Sequence, residues 1–115
     1  MPPERDKKIR IMIVDDSLVF RSLLRDVLGE DARIEVVTQA VNGRLALPRV
    51  RHYRPDFVIL DQEMPEMSGL ETLELLHRDF PGVGVIMFSS HTVEGAKVTI
   101  HALELGALDF VTKPD

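Results

Sequence analysis

Asp15-Asp16, Asp61, Ser89-Ser90 and Lys113 each follow a short, largely apolar run, and these groups carry the reactive chemistry of the chain. Carboxylates gathered in one place repel one another, so near neutral pH they need raised pKa values or a cation. Mg²⁺ suits such a set, because it is hard and octahedral and is commonly held by one or two carboxylates, waters and phosphate oxygens; Mn²⁺ takes the same donors. Lys113 supplies a compact positive charge that can pair with Asp61 and later with a phosphoryl oxygen. Ser89 offers a hydroxyl donor to another oxygen, with its neighbour Ser90 as the alternative. These are parts for phosphoryl transfer to a carboxylate, where catalysis is mostly positioning and charge neutralisation. Asp61 is the expected nucleophile and phosphate acceptor. Asp15, Asp16 and Asp61 are the expected ligands of the ion, one of the first two directly or through water, and the Glu63 backbone carbonyl is a further one.

Those residues act together only if the fold gathers them. Ile9 to Val14 is a nearly continuous apolar run, as expected of a strand covered on both faces. Phe57 to Leu60 and Val83 to Phe88 read the same way, whereas Ile34 to Ala40 alternates and suits a sheet edge. Leu108 to Val111 is the fifth strand. Between them, helical spacing marks Phe20, Leu23, Leu24, Val27 and Leu28 after a Ser17 cap, then Leu45 to about His52, then Leu70 to Phe80, then Val93 to Leu105. In the last of these, Val93, Ala96, Ile100 and Leu103 are the expected inner stripe, with Val98, Ala102 and Leu105 on another side. Pro48 lies inside the second helix, where it predicts a kink or a restart. Strand and helix alternate four times before the last strand, which predicts right-handed crossovers and a doubly wound, mostly parallel α/β sheet with helices on both faces. All strand C-termini then share one edge, and every reactive group named above falls there. No helix follows the fifth strand, so one face of the sheet is expected to be partly bare, covered by more chain or by a neighbour.

Composition narrows the function further. A chain of 115 residues supports one domain, assigned here to residues 8–115 after a polar tail over 1–7. The net charge of −5 argues against a nucleic-acid partner. No cysteine means no disulfide framework and no thiolate metal site, which is compatible with the cytoplasm. No apolar run approaches the ~18–20 residues of a membrane span, and the polar start is no signal peptide.

Val14-Asp15-Asp16-Ser17, Asp61 through Gly69, Ser89-Ser90 and Lys113-Pro114 stand in the order and separation of a response-regulator receiver domain, which the chain resembles along nearly its whole length. The resemblance implies phosphotransfer from a sensor histidine kinase, Mg²⁺ dependence, self-catalysed phosphorylation and dephosphorylation, and a flavodoxin-like sheet in 2-1-3-4-5 order. It implies a cis bond between Lys113 and Pro114. It also implies a switch in which Ser89 moves toward the phosphoryl group while Phe110 swings inward, read by an output domain or separate effector. Val98, Leu105 and Phe110 are then either a docking patch or core that further chain would bury. Ser89-Ser90-His91-Thr92, Gly95, Val98-Thr99, Ala102 to Ala107 and Asp109 to Val111 resemble more narrowly the receiver of chemotaxis protein-glutamate methylesterases. Their esterase domain would follow residue 115, so that activity is not assigned to this segment. Another response regulator, such as a transcription factor or a stand-alone receiver, is the alternative. Two residues depart from the pattern: Ser68 stands where Asp is frequent, and Pro48 replaces a helix former.

Blander readings exist for each part. Asp15-Asp16 taken alone suits a turn with an N-cap, and Lys113 alone suits a surface lysine. A haloacid-type phosphatase would need an Asp-x-Asp pair, which Asp61 and Glu63 only imitate. A flavin binder would need a phosphate loop after the first strand, where Asp15 and Asp16 would repel phosphate. Gly82-Val83-Gly84 precedes a strand and opens no helix, so it is no dinucleotide fingerprint. His52, His77, His91 and His101 show no ligand spacing.

Overall fold

The computed structural model describes residues 7–90 and 92–113. Nine elements alternate along it: β1 (Ile9–Val14), α1 (Leu18–Gly29), β2 (Ile34–Ala40), α2 (Gly43–Tyr53), β3 (Phe57–Asp61), α3 (Gly69–Asp79), β4 (Gly84–Ser89), α4 (Val93–Glu104) and β5 (Asp109–Thr112). The strands form one parallel sheet in the order β2-β1-β3-β4-β5, as the resemblance implies. The chain winds outward in both directions from β1 and β3. The C-terminal ends of those two strands therefore open onto a crevice, the usual ligand position in such sheets.

Two-residue periodicity sorts the strand side chains into two layers. Met12, Val14, Val58, Leu60, Val85 and Met87 pack on one side with Ala46 and Val50 of α2, Leu73 and Leu76 of α3, and Ala102 of α4. Ile11, Ile59 and Phe88 point the other way, toward Phe20, Leu24 and Leu28 of α1. Each large side chain buried outright in this way stabilises the fold by roughly 1.5–3 kcal/mol. The central strands are buried on both faces, which is why their sequences are apolar without alternation; β2 lies at the edge. On the α1 side the cover is incomplete. Leu23 and Val27 of α1 and Val111 of β5, which pairs with Phe88, are all exposed. Among the described residues no helix follows β5.

Two helices refine the expectations. First, of the kink or restart expected at Pro48, the restart is absent, since α2 runs as a single helix across it. Asn42 caps its start by accepting the Leu45 N–H at 2.9 Å, and Arg54, at φ 49°, closes its end by donating to the Val50 carbonyl at 2.9 Å. The bond that proline removes is the one to the Arg44 carbonyl, on an exposed stretch where water can replace it. Second, α4 is rotated from the expected stripe. Gly95, Thr99 and Ala102 are its buried face and Val98 and Leu105 are half-buried, whereas Ala96, Ile100 and Leu103 are exposed; the Val93 side chain lies outside the described residues. Small residues let the helix approach β4 closely, and the Thr99 hydroxyl can be buried because it donates to the Gly95 carbonyl at 2.9 Å. The cis bond expected before Pro114 and the tail over 1–6 also lie outside the described residues, as does His91; His52, His77 and His101 are exposed, as expected.

Pro48→Ala restores a backbone donor in the helix interior. It is expected to raise unfolding stability by up to about 3 kcal/mol, measured by denaturant titration, with no change in the site chemistry.

Candidate functional site

β1 ends by delivering Asp15 into the crevice. Its backbone N–H donates to the Ala40 carbonyl of β2 at 3.1 Å, and its Oδ1 accepts the Ser17 N–H at 2.8 Å. Ser17 in turn caps α1 by accepting the Phe20 N–H at 3.2 Å. Arg21, one turn into α1, reaches back to donate to the Asp15 carbonyl at 2.6 Å. Asp15 is thus held from both sides and is 1% exposed, while Asp16 beside it faces solvent.

Asp61, 2% exposed, is the last residue of β3, in register with Phe88. The loop after it is tied down at both ends. Gln62 N–H donates to the Phe88 carbonyl at 3.0 Å, the Gln62 carbonyl accepts the Gly69 N–H at 3.0 Å, and the Gln62 side-chain oxygen accepts the Leu70 N–H at 2.8 Å. A side chain on Gly69 would lie 2.4 Å from the Asp61 carbonyl oxygen, so only glycine lets α3 start this close to Asp61. Ser68 caps α3 by accepting the Glu71 N–H at 3.2 Å, a task that Ser and Asp perform alike. Glu66 turns the loop at φ 69°.

Lys113 follows β5 and is anchored there by its N–H, which donates to the Ser89 carbonyl at 2.8 Å. Its Nζ lies 2.9 Å from Asp15 Oδ2 and 3.1 Å from Asp61 Oδ1. Both contacts are ion pairs without hydrogen-bond alignment, so these two buried oxygens lack a directed donor. Asp15, Asp16 and Asp61 each bring an oxygen within 4.8 Å of the others. An all-carboxylate set with two buried oxygens that meet only one shared ammonium, and one open, solvent-facing member, fits a small hard divalent ion that keeps some of its waters.

The electrostatics follow from this crowding. Burial and the neighbouring Asp15 charge raise Asp61 from an ordinary 3.8 to about 6, against the opposing pull of Lys113 and the Glu63 backbone amide. For Lys113, burial pulls the pKa down, but the pairing with Asp15 and Asp61 outweighs it and leaves the ammonium raised.

Ser89 is buried at the end of β4, with its Oγ 3.2 Å from the Thr99 hydroxyl. Thr99 already donates to Gly95, so Ser89 donates to Thr99 and its hydroxyl is turned toward α4. Ser90 belongs to the start of α4, where its Oγ meets that of the capping Thr92 at 2.9 Å. Phe110 is 38% exposed and lines a groove of about 390 Å³ between α4 and β5, with Ser89, Thr99, Ile100 and Leu103. Of Val98, Leu105 and Phe110, read as either a docking patch or core, Leu105 packs on the core and Val98 is half-buried, while Phe110 is exposed and joins Ile100 and Leu103 along the groove. Glu63 has an exposed side chain in the loop. Thr99 and Gln62 stand in the motifs quoted from the sequence, but the positioning roles of Arg21, Thr99 and Gln62 were not read from it. Thr99 was findable, as a hydroxyl four residues after Gly95 and three before Ala102 on a stripe of small residues; Arg21 and Gln62 carry no local signal.

With this geometry, residues 11–115 match the family of response regulator receiver domains. The chain belongs to that family. This receiver is 52% identical over 108 residues to a protein-glutamate methylesterase/protein-glutamine glutaminase of Geobacillus kaustophilus, covering 94% of the receiver and 31% of that protein. It is 55% identical over 106 residues to the corresponding protein of Moorella thermoacetica, covering 92% and 25%. The receiver therefore spans less than a third of these curated relatives. Among solved structures it is similar to the response regulator domain of Thermotoga maritima CheB, with a TM-score of 0.87 at 42% identity over 94% of the receiver and 80% of that chain. The receiver domain of NtrX from Brucella abortus gives 0.82 at 28%, over 91% and 86%.

A folded-state pKa raised above the ordinary value means that ionising Asp61 favours the unfolded chain. Without divalent ions, its contribution to stability is expected to fall as pH climbs from about 4 to about 6. In a chelator, Asp61→Asn should therefore melt above the parent at pH 7, and this advantage should disappear at pH 4; thermal melts across that range check it.

Proposed function

We propose that this receiver accepts a phosphoryl group from the phosphohistidine of a sensor kinase onto Asp61. The observation that supports it best is the Lys113 ammonium bridging two buried carboxylates whose facing oxygens have no directed donor. Asp15, Asp16, Asp61 and the Glu63 carbonyl would hold Mg²⁺, or Mn²⁺ in its place; when bound it neutralises charge on the carboxylates and on the incoming phosphoryl oxygens. Asp61, ionised above about pH 6, presents a carboxylate oxygen to phosphorus. A new O–P bond forms as the N–P bond breaks, and the imidazole leaves with its electron pair. Lys113 then pairs with a phosphoryl oxygen, and Ser89 leaves Thr99 to donate to another. That movement opens space on the groove side, into which Phe110 turns, and the shape of the α4–β5 face changes with it. The same site returns the group to water, so the domain catalyses both its own phosphorylation and its dephosphorylation.

The output we favour is control of a protein-glutamate methylesterase in chemotaxis adaptation, in the cytoplasm. What supports it is the 52% and 55% identity to proteins of that name, against 28% to a receiver of the LuxR family from Aurantimonas sp. SI85-9A1. The partners are then a sensor histidine kinase and an output domain outside this segment. No described helix is long and apolar enough to cross a membrane.

Labelling by acetyl phosphate with Mg²⁺ is expected for the parent chain and abolished in Asp61→Asn; label persisting in that variant would move the site. Mg²⁺ should also raise the melting temperature of the parent, by about 2.7 kcal/mol of stability at a hundredfold excess over Kd, and leave Asp15→Asn unmoved. A phosphate mimic such as beryllofluoride should shift amide resonances of 89–98 and 108–112; changes confined to residues 61–69 would exclude the relay.

A further inference from the structure

Phe20 sits in the first turn of α1 and at first sight is simple packing, one of the apolar residues that cover Ile11, Ile59 and Phe88. Its ring does something more specific. Lys113 Nζ lies over it, 4.4 Å from the ring centroid. The ring is itself fixed edge-to-face against Phe88, with centroids 5.4 Å apart and planes at 75°. Phe88 is buried, and its backbone is in register with Asp61 on one side and Val111 on the other. A continuous aromatic support therefore runs from the middle of the sheet to the ammonium.

We infer that Phe20 is a positioning residue for Lys113, its ring face holding the ammonium over the Asp15–Asp61 pair so that it meets the phosphoryl oxygen without reorganising. A lysine has four flexible carbons, and two carboxylates on one side do not by themselves fix where its charge rests. An aromatic face attracts the cation through its quadrupole without carrying a formal charge. A carboxylate in that position would hold Lys113 as firmly but would compete with the incoming phosphoryl group. An aliphatic side chain of similar size would fill the space and exert no such pull. The ring thus orients the charge and leaves it available. Capping of α1 by Ser17, through the Phe20 N–H, fixes the ring's own backbone.

This inference rests on the phosphoacceptor reading of Asp61, and the two are separable by experiment. Initial rates of labelling by acetyl phosphate with Mg²⁺ are compared for the full chain, Phe20→Leu and Phe20→Tyr, each with Lys113 intact and as Lys113→Ala. Phe20→Leu is expected to slow labelling about tenfold and Phe20→Tyr to keep the parent rate within about twofold, while in the Lys113→Ala background Phe20→Leu should change nothing further. Equal losses in both backgrounds, or no loss in the parent, would overturn the positioning role while leaving Asp61 as acceptor. A parent chain that takes no label would overturn both readings. Independently of rate, the Lys113 ε-methylene protons should be ring-shifted upfield in the parent and in Phe20→Tyr but not in Phe20→Leu; unshifted protons in the parent would refute the contact itself.

Discussion

Negative charge concentrated at one edge of a parallel sheet is the constraint on which the rest of this molecule depends. Two aspartates almost without solvent contact face each other there, a third stands beside them, and one ammonium is shared between the first two. Coulomb repulsion between carboxylates so placed is large, because little water screens it. The fold bears that cost through the apolar layers on either side of β1 and β3, which have no freedom to spread the two strand ends apart. Burial and that repulsion together raise the pKa of Asp61. In the function proposed here, a divalent cation or a phosphoryl group with its counter-ion would relieve the same crowding. On that reading, the reactivity of Asp61 and the local instability around it have one origin.

Each neighbouring feature restrains that arrangement. Ser17 ties Asp15 to the start of α1, Arg21 closes over its backbone, and Gln62 clamps the loop that leaves Asp61. Gly69 lets α3 begin against the backbone of Asp61 itself. These contacts are short-range and directional. The apolar layer against α2 and α3, by contrast, is built mostly of Val, Leu, Met and Ala, side chains whose packing tolerates change of detail.

Most of this was legible in the chain because the physics is periodic. Continuous apolar runs mark strands buried on both sides, and the four crossovers they imply bring Asp15, Asp61, Ser89 and Lys113 to one edge. The α4 stripe was misread, because hydrophobicity alone favours Ile100 and Leu103 as inner residues; what decides the matter is that Gly95 and Ala102 allow close approach and that Thr99 finds hydrogen-bond partners. Pro48 predicted a kink or a restart because its propensity penalty is local; no restart occurs, and two well-formed caps hold the helix from its ends. Phe20 was seen as packing, since nothing in a linear pattern reports that a lysine 93 positions later rests on its ring. Contacts between strand-end loops distant in sequence are what such patterns cannot carry.

The hydroxyl of Ser89 rests against α4 through one bond to Thr99, whose own proton is already committed to the Gly95 carbonyl. Releasing the serine therefore strands no donor on the helix; it forfeits a single neutral hydrogen bond, worth about 1 kcal/mol or a factor of about five in population. In the switch proposed here, so light a latch favours speed over silence: an idle domain held this way would keep some background, and quiet would have to come from elsewhere than this serine.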